Sequence, residues 1–428
     1  MRVSPPSLTQ IVVLLSLLGT LSPHCEAKEL LRVDTSFEGA SAADIKIDQD
    51  IRTIEFTPGG DPVRGWPCWW YFRVDGIQPG ETLQLKLRGS NATVQQPGAA
   101  LMKPLSPSWA MPGRASISAD GAAWSHSEKG TREGDWMIYS VRSEGTSFYA
   151  AWGPACTPQD ARRWAAEFAR NKQAVQSLEL CRSREGRPVP MLRVQEGDKP
   201  QAERFGVWVQ ARQHAWESGS SWVARGFMEW VLGDSEKASA LRRASEITWV
   251  PIMDVDNAAT GNGGKDAVPY DHNRDWSDLP HWNETQAAQA RVKDLIQAGR
   301  MDVFLDLHNP GPDDPTFFFL LDPAVLSPEK GDRQRRFADL GYRSISQAKP
   351  MIPMSVNPKM IGANYSKRWR EMSSHWVSLH GNPQTVAVCL ETIWNSPAST
   401  TDGYRKVGQC LAEALADFLA EQPPRRIP

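Results

Sequence analysis

The stretch VWVQARQHAWESGSSWVARGFMEWVLG, Val207 to Gly233, decides the fold. Its apolar start suits a buried strand, and the chain then passes Arg212 to a His-x-x-Glu at His214 and Glu217. Small residues follow, and near Ser221 to Leu232 an amphipathic segment puts Trp222, Val223, Gly226, Phe227, Trp230 and Val231 on one helical face. A strand giving way to a helix recurs downstream. ITWVPIMDV, MDVFLDLH and TVAVCLE read as buried strands, while ETQAAQARVKDLIQAG, a segment near Asp332 to Ser346 and another near Tyr404 to Ala420 read as helices. Strands apolar throughout, alternating with helices, imply an α/β domain whose mixed, mostly parallel sheet is covered by helices.

Outward from that block the texture changes at Cys156. TPQDARRWAAEF opens a helix with Thr157 as cap, Pro158 at the first helical position and Asp160 three after the cap. SLELCRSREGRPVPMLRVQEG reads as a hairpin turning near Glu185-Gly186. Before Cys156, from about Leu31 to Trp152, short alternating segments such as IRTIEFTPGG, WWYFRVDGIQPG and ETLQLKLRGS end in Gly, Pro or polar residues. They imply an antiparallel β-sandwich of seven to nine strands. The expected organisation is a signal peptide over 1–27, the sandwich over 28–155 and the α/β domain over 156–428.

Composition narrows the function. Hydrophobic content of 40%, charged content of 23% and a net charge of −2 are those of a folded protein with no reason to bind nucleic acid. The 18 Trp against 7 Tyr are unusual, and most of the Trp are expected in cores. At the N-terminus Arg2, the apolar stretch Ile11 to Leu21 and Cys25-Glu26-Ala27 read as a secretory signal. The stretch is too short to span a membrane comfortably, so the expectation is a secreted or periplasmic protein with no stable membrane insertion once the signal is cleaved. Cleavage would leave Cys68, Cys156, Cys181, Cys389 and Cys410, an odd set that allows at most two internal disulfides. Asn91-Ala92-Thr93 is a glycosylation sequon.

In an α/β sheet, ligands bind beyond the carboxyl ends of the strands. Three strands here end in residues that bind metals or carry protons: one leads to His214 and Glu217, one ends at His308, and one ends at Glu391. Two His and one Glu are the protein ligands of an open catalytic zinc site, with a fourth position left for water. A further carboxylate, Glu391, can then take and return a proton. Singly, each piece is ordinary: His-x-x-Glu arises by chance, and a strand-end His is commonly a hydrogen-bonded core or surface residue. Their order and context together carry the reading.

Between the first pair and His308 lies MDVDNAATGNGGK, followed by DHNRDW. With RQHAWE, FLDLH and CLETIW in the same order, the chain resembles the zinc carboxypeptidases of the M14 type, most closely their cytosolic-carboxypeptidase-like branch. TSFEGASAADI and WWYFRVDGIQPGE resemble segments of that branch's N-terminal β-sandwich. The resemblance implies one Zn2+ per chain on His214, Glu217 and His308, with Asp271 fixing the tautomer of His214. It implies that Asn273 and Arg274 hold the terminal carboxylate of a peptide or protein substrate. Glu391 would be the general base, then the proton donor to the leaving amine.

Two departures stand out. The family arginine that steadies the scissile carbonyl follows GN by two residues, and here that place is Gly264. Lys265 beside it, or Arg212 from the metal strand, is the candidate substitute; losing such a donor costs about a hundred- to thousandfold in turnover. The family turn NPDG reads Asp254-Val255-Asp256-Asn257. Tyr365 is the one candidate active-site tyrosine, with a structural role the simpler reading. For the pocket that selects the terminal side chain, Arg368, Arg370, His375 and Trp376 are candidates, and a basic lining would favour acidic C-termini. The rival functions are a zinc amidase or deacylase acting on N-acyl amino acids or cell-wall peptides, and a binding protein with a decayed site.

Overall fold

A computed structural model of the protein describes residues 1–3, 29–94, 102–170 and 173–423. Residues 4–28, which include the apolar stretch and Cys25 of the expected signal segment, lie outside the described residues. In the N-terminal part, alternation produces two-sided strands. In Thr82–Arg88, Leu83, Leu85 and Leu87 are buried while Thr82 and Gln84 are exposed. Among the described residues ten strands form two five-stranded sheets, with a short ribbon of Thr93–Val94 and Lys103–Pro104 beside them. The inner faces meet through aromatic edges, Phe56 on Phe72 at 4.8 Å and Trp70 against Tyr139 at 6.1 Å. The sandwich departs from the expected antiparallel pattern in one pair: Thr53–Thr57 runs parallel to Thr82–Arg88. Between those two strands the chain crosses to the other sheet as Tyr71–Asp75, which supplies the long connection that parallel pairing needs.

The last sandwich strand ends at Ala151, and the first helix of the α/β part, Pro158–Ala169, starts on a complete capping box between Thr157 and Asp160. An eight-stranded sheet follows, in the order Val175–Arg182, Pro188–Val194, Ser245–Val250, Phe205–Ala211, Met301–His308, Val386–Glu391, Phe317–Leu321, Lys359–Ile361. The four strands from Ser245–Val250 to Val386–Glu391 are mutually parallel. Every residue of Phe205–Ala211 and Met301–His308 is buried, which explains why both are mostly apolar along their whole length. Helices Glu236–Ala244, Val255–Thr260 and Ser373–His380 were not legible as separate elements.

The helix in the second half of the deciding stretch is Ser218–Val231, three residues longer at its start than periodicity indicates. It packs on the last helix, Thr401–Ala420, at backbone contact: a Cβ at Gly226 would sit 2.0 Å from the Arg405 carbonyl oxygen, and one at Gly408 2.0 Å from that of Val223. The two parts of the chain share an aromatic seam. Trp109 contacts Trp216 at 5.7 Å, and Trp152 contacts Trp216 at 5.1 Å and Trp394 at 4.3 Å. The seam borders the turn that carries His214 and Glu217. Cys68, Cys156, Cys181, Cys389 and Cys410 are all free thiols.

Candidate active site

The turn after Phe205–Ala211 places both residues of the His-x-x-Glu at the carboxyl end of the strand. Arg212 takes a positive φ of 61°, which turns the chain sharply before His214. Glu217 occupies the N-cap position of the next helix, yet its carboxylate caps no backbone N–H. It faces two imidazoles instead: Oε1 lies 2.7 Å from Nδ1 of His214 and Oε2 lies 2.7 Å from Nδ1 of His308. All three side chains are buried, and their ligand atoms lie within 4.8 Å of one another. Burial disfavours a charged carboxylate, but His214 and His308 outweigh it and hold the Glu217 carboxyl at about 2.

Two imidazole nitrogens and one carboxylate, converging from two strand ends beside a recess, are a donor set that fits catalytic zinc. Each imidazole is backed on its far side. Nε2 of His214 is 3.5 Å from Asp271 Oδ2, and Nε2 of His308 is 2.9 Å from Asp306 Oδ2. Asp306 escaped the sequence reading, although an Asp two residues before His308 in a largely apolar strand shares its face. The hydroxyl of Ser373 and the amide of Gln213 donate to the same Asp306 oxygen, at 2.6 and 2.7 Å. An Asp306→Asn variant is therefore expected to weaken zinc binding about 10- to 100-fold, read by chelator competition. Unchanged affinity would show that Asp306 does not orient His308.

The segment 271–276 folds as a short turn, His272–Arg274, beside the metal ligands. Burial opposes ionisation of Asp271, but Arg274 and His214 hold its carboxyl well below the usual range. Arg274 Nη1 lies 3.6 Å from Asp271 Oδ1, and the Asn273 side chain accepts the Ser373 backbone N–H at 3.0 Å. His272 points the other way, buried, 3.7 Å from Asp254 and 3.6 Å from Glu284. Burial favours its neutral form, but Asp254 and Glu284 push its pKa up to about 9.

His214, Glu217, Lys265, Asn273, Arg274 and Glu391 all line one recess of about 630 Å³. A larger concavity of about 790 Å³ on the outer sandwich sheet holds none of them. Glu391 pairs in register with His308 on the adjacent strand, and its Oε2 is buried with no hydrogen-bond partner among the described residues. Desolvation raises its carboxyl to about 7, with His308 opposing. A buried carboxylate oxygen left unpaired is expected to meet water or a reacting group.

The structure separates the two candidate substitutes for the family arginine. Gly264 has φ +78°, and a Cβ there would stand 2.4 Å from Asp254 Oδ2 and 2.7 Å from the Ala215 nitrogen, so no side chain fits. Lys265 enters the recess, its ammonium 5.2 Å from the Trp66 ring centroid. Arg212 does not: its guanidinium donates to the Ala215 carbonyl at 2.8 Å and to that of Cys156, and it lies over Trp69. Arg212 is bound to those carbonyls through Nε and Nη1 and does not line the recess, so it is corrected from a substrate-binding candidate to a brace of the turn. The altered Asp254-Val255-Asp256-Asn257 turn is the short helix Val255–Thr260, capped by Asp254 and closed by Gly261 at φ +70°. Tyr365 lines the recess, its ring centroid 6.0 Å from the Arg274 guanidinium.

Residues 161–302 match the family model Peptidase_M14, zinc carboxypeptidase, a span that includes His214, Glu217 and Arg274 and stops short of His308. Cytosolic carboxypeptidase 2 of Danio rerio is 25% identical over 267 residues, 56% of this chain and 35% of that protein. Cytosolic carboxypeptidase 3 of Mus musculus is 28% identical over 132 residues, 30% of this chain and 13% of that protein. The chain thus spans a minor part of these curated relatives. In fold it is similar to a metallo-carboxypeptidase from Burkholderia cenocepacia, with a TM-score of 0.73 at 20% identity over 91% of this chain and 99% of the other. A Pseudomonas aeruginosa metallo-carboxypeptidase, solved with (2-guanidinoethylmercapto)succinic acid, has a TM-score of 0.71 at 19% identity, covering 91% and 99%.

Proposed function

We propose that this chain, which carries a zinc carboxypeptidase domain of the M14 type, hydrolyses the last peptide bond of peptides or proteins. One observation carries the reading: His214 and Glu217, which form a three-donor metal set with His308, line a single recess together with Arg274 and Glu391, whose Oε2 is unpaired among the described residues. His214, Glu217 and His308 would hold one zinc ion, which supplies Lewis acidity that makes water nucleophilic near neutral pH. Arg274 and Asn273 bind the free carboxylate of the terminal residue and so set which peptide bond lies beside Glu391. Glu391 takes a proton from the attacking water as the new C–O bond forms, then delivers it to the departing amine as the C–N bond breaks. Lys265 donates toward the carbonyl oxygen as negative charge develops there. Asp271 and Asp306 keep the two histidines in the tautomer whose Nδ1 is free to bind metal.

The test combines metal analysis with a pair of peptides that differ only in a free or amidated C-terminus. One zinc per chain is expected, with cleavage of the free peptide exceeding that of the amidated one by about a hundredfold or more. Equal cleavage of both would favour an amidase over a carboxypeptidase. A chain that binds no zinc would end the proposal.

A further inference from the structure

We infer that the recess selects substrates ending in a large apolar residue, and that Cys389, Phe319 and Met372 set this preference. The inference rests on the carboxypeptidase reading and names its substrate class. Strand register supplies the first argument. Phe317–Leu321 runs antiparallel to Val386–Glu391 with Phe317 opposite Glu391 and Phe319 opposite Cys389, and directly paired residues share a face of the sheet. One step back from Glu391 along that face therefore meets a thiol and a phenyl ring instead of a charge.

Packing supplies the second argument. Phe317, Phe319, Ile361, Met372 and Cys389 form a small apolar cluster separate from the main core, with Tyr365 packed against it. All six line the recess. The Tyr365 ring stands 5.5 Å from that of Phe319 and, as described above, beside Arg274. A carboxylate gripped by Arg274 thus brings the side chain on the same carbon next to this cluster.

The charges are accounted for elsewhere. Lys359 is the remaining cation of the recess; its ammonium pairs with Asp314 at 2.7 Å and lies 4.0 Å from the Phe317 ring centroid. Both members of that pair are about two-fifths exposed, which sets them at the mouth. The basic lining considered from sequence is not formed. Arg368 donates to the Arg274 carbonyl at 2.9 Å, Arg370 lies over Trp369, the His375 ring is turned to the Trp369 carbonyl, and Trp376 stacks on His380. None of the four lines the recess. A carboxylate or ammonium pushed into the cluster would lose water among apolar side chains, with Lys359, already paired to Asp314, and Glu391 standing outside that cluster, whereas an aromatic or branched side chain would bury its surface there.

The experiment is a set of N-acylated peptides differing only in a terminal Phe, Leu, Glu or Lys, assayed on the zinc-loaded protein. Phe and Leu are expected to exceed Glu and Lys in kcat/KM by about a hundredfold. In Cys389→Arg, which sets a guanidinium in the floor, the Glu peptide should gain on the Phe peptide. A flat profile, or a preference for Glu that disappears in Lys359→Met, overturns the inference while leaving the peptidase reading intact. Calorimetric binding of the same peptides to Glu391→Gln separates the two ideas. If no peptide is cleaved but the Phe peptide still binds about tenfold or more tighter than the Glu peptide, the pocket assignment stands and the hydrolase reading falls. Equal binding overturns the pocket assignment.

Discussion

Glu391→Gln is expected to lose about a hundred- to ten-thousandfold in turnover while still holding about one zinc per chain. The substitution keeps the size of the side chain and one carbonyl-type oxygen, and removes only the ability to accept and return a proton. The metal set is untouched, because His214, Glu217 and His308 supply the converging donor atoms and Glu391 is not among them. Loss of rate without loss of metal is thus the signature of a base. Rates and zinc content measured on one preparation test it, with an unchanged denaturation midpoint as the control for folding. Turnover near that of the unmodified protein would discard the assigned role.

Arg274→Met is expected to lower kcat/KM for peptides with a free C-terminus by about 30- to several-thousandfold, the range set by roughly 2–5 kcal/mol for truncating one partner of a buried charge pair. Arg274 is 8% exposed, so a carboxylate bound there is shielded from water and bulk charge. Its loss also removes the guanidinium that stands 3.6 Å from Asp271, leaving the His214 ring at 3.5 Å as that carboxylate's neighbour. Stability is expected to fall as well, and the decisive readout is therefore a ratio. The advantage of free over amidated peptide should collapse in Arg274→Met and be partly kept in Arg274→Lys, which retains charge without the paired donors. An unchanged ratio would show that another group reads the carboxylate.

Much of this site was legible before any coordinates. Buried strands are conspicuous because a parallel sheet demands unbroken apolar runs, and polar residues at their carboxyl ends stand out against them. That logic brought His214, Glu217, His308 and Glu391 to attention, and the geometry gathers all four. Asp306 was missed because, like Asp302 before it, it looks like a lapse in an apolar run; its partner is the histidine two residues on. Lys265 and Arg212 were equally good candidates on paper. Each is a cation near the right segment, and only the direction of the side chain separates them: Arg212 is spent on two backbone carbonyls and Lys265 is not.

The chain's own order of residues determined most element types, the two-part organisation and the polar residues that end the buried strands, because burial patterns and strand ends are local properties. Tertiary structure alone decided the lining of the recess. That lining depends on Phe319 meeting Cys389 across a strand pair distant in sequence, and a shift of one residue would turn every side chain of the strand to the opposite face. Local preference holds no record of that register; packing sets it.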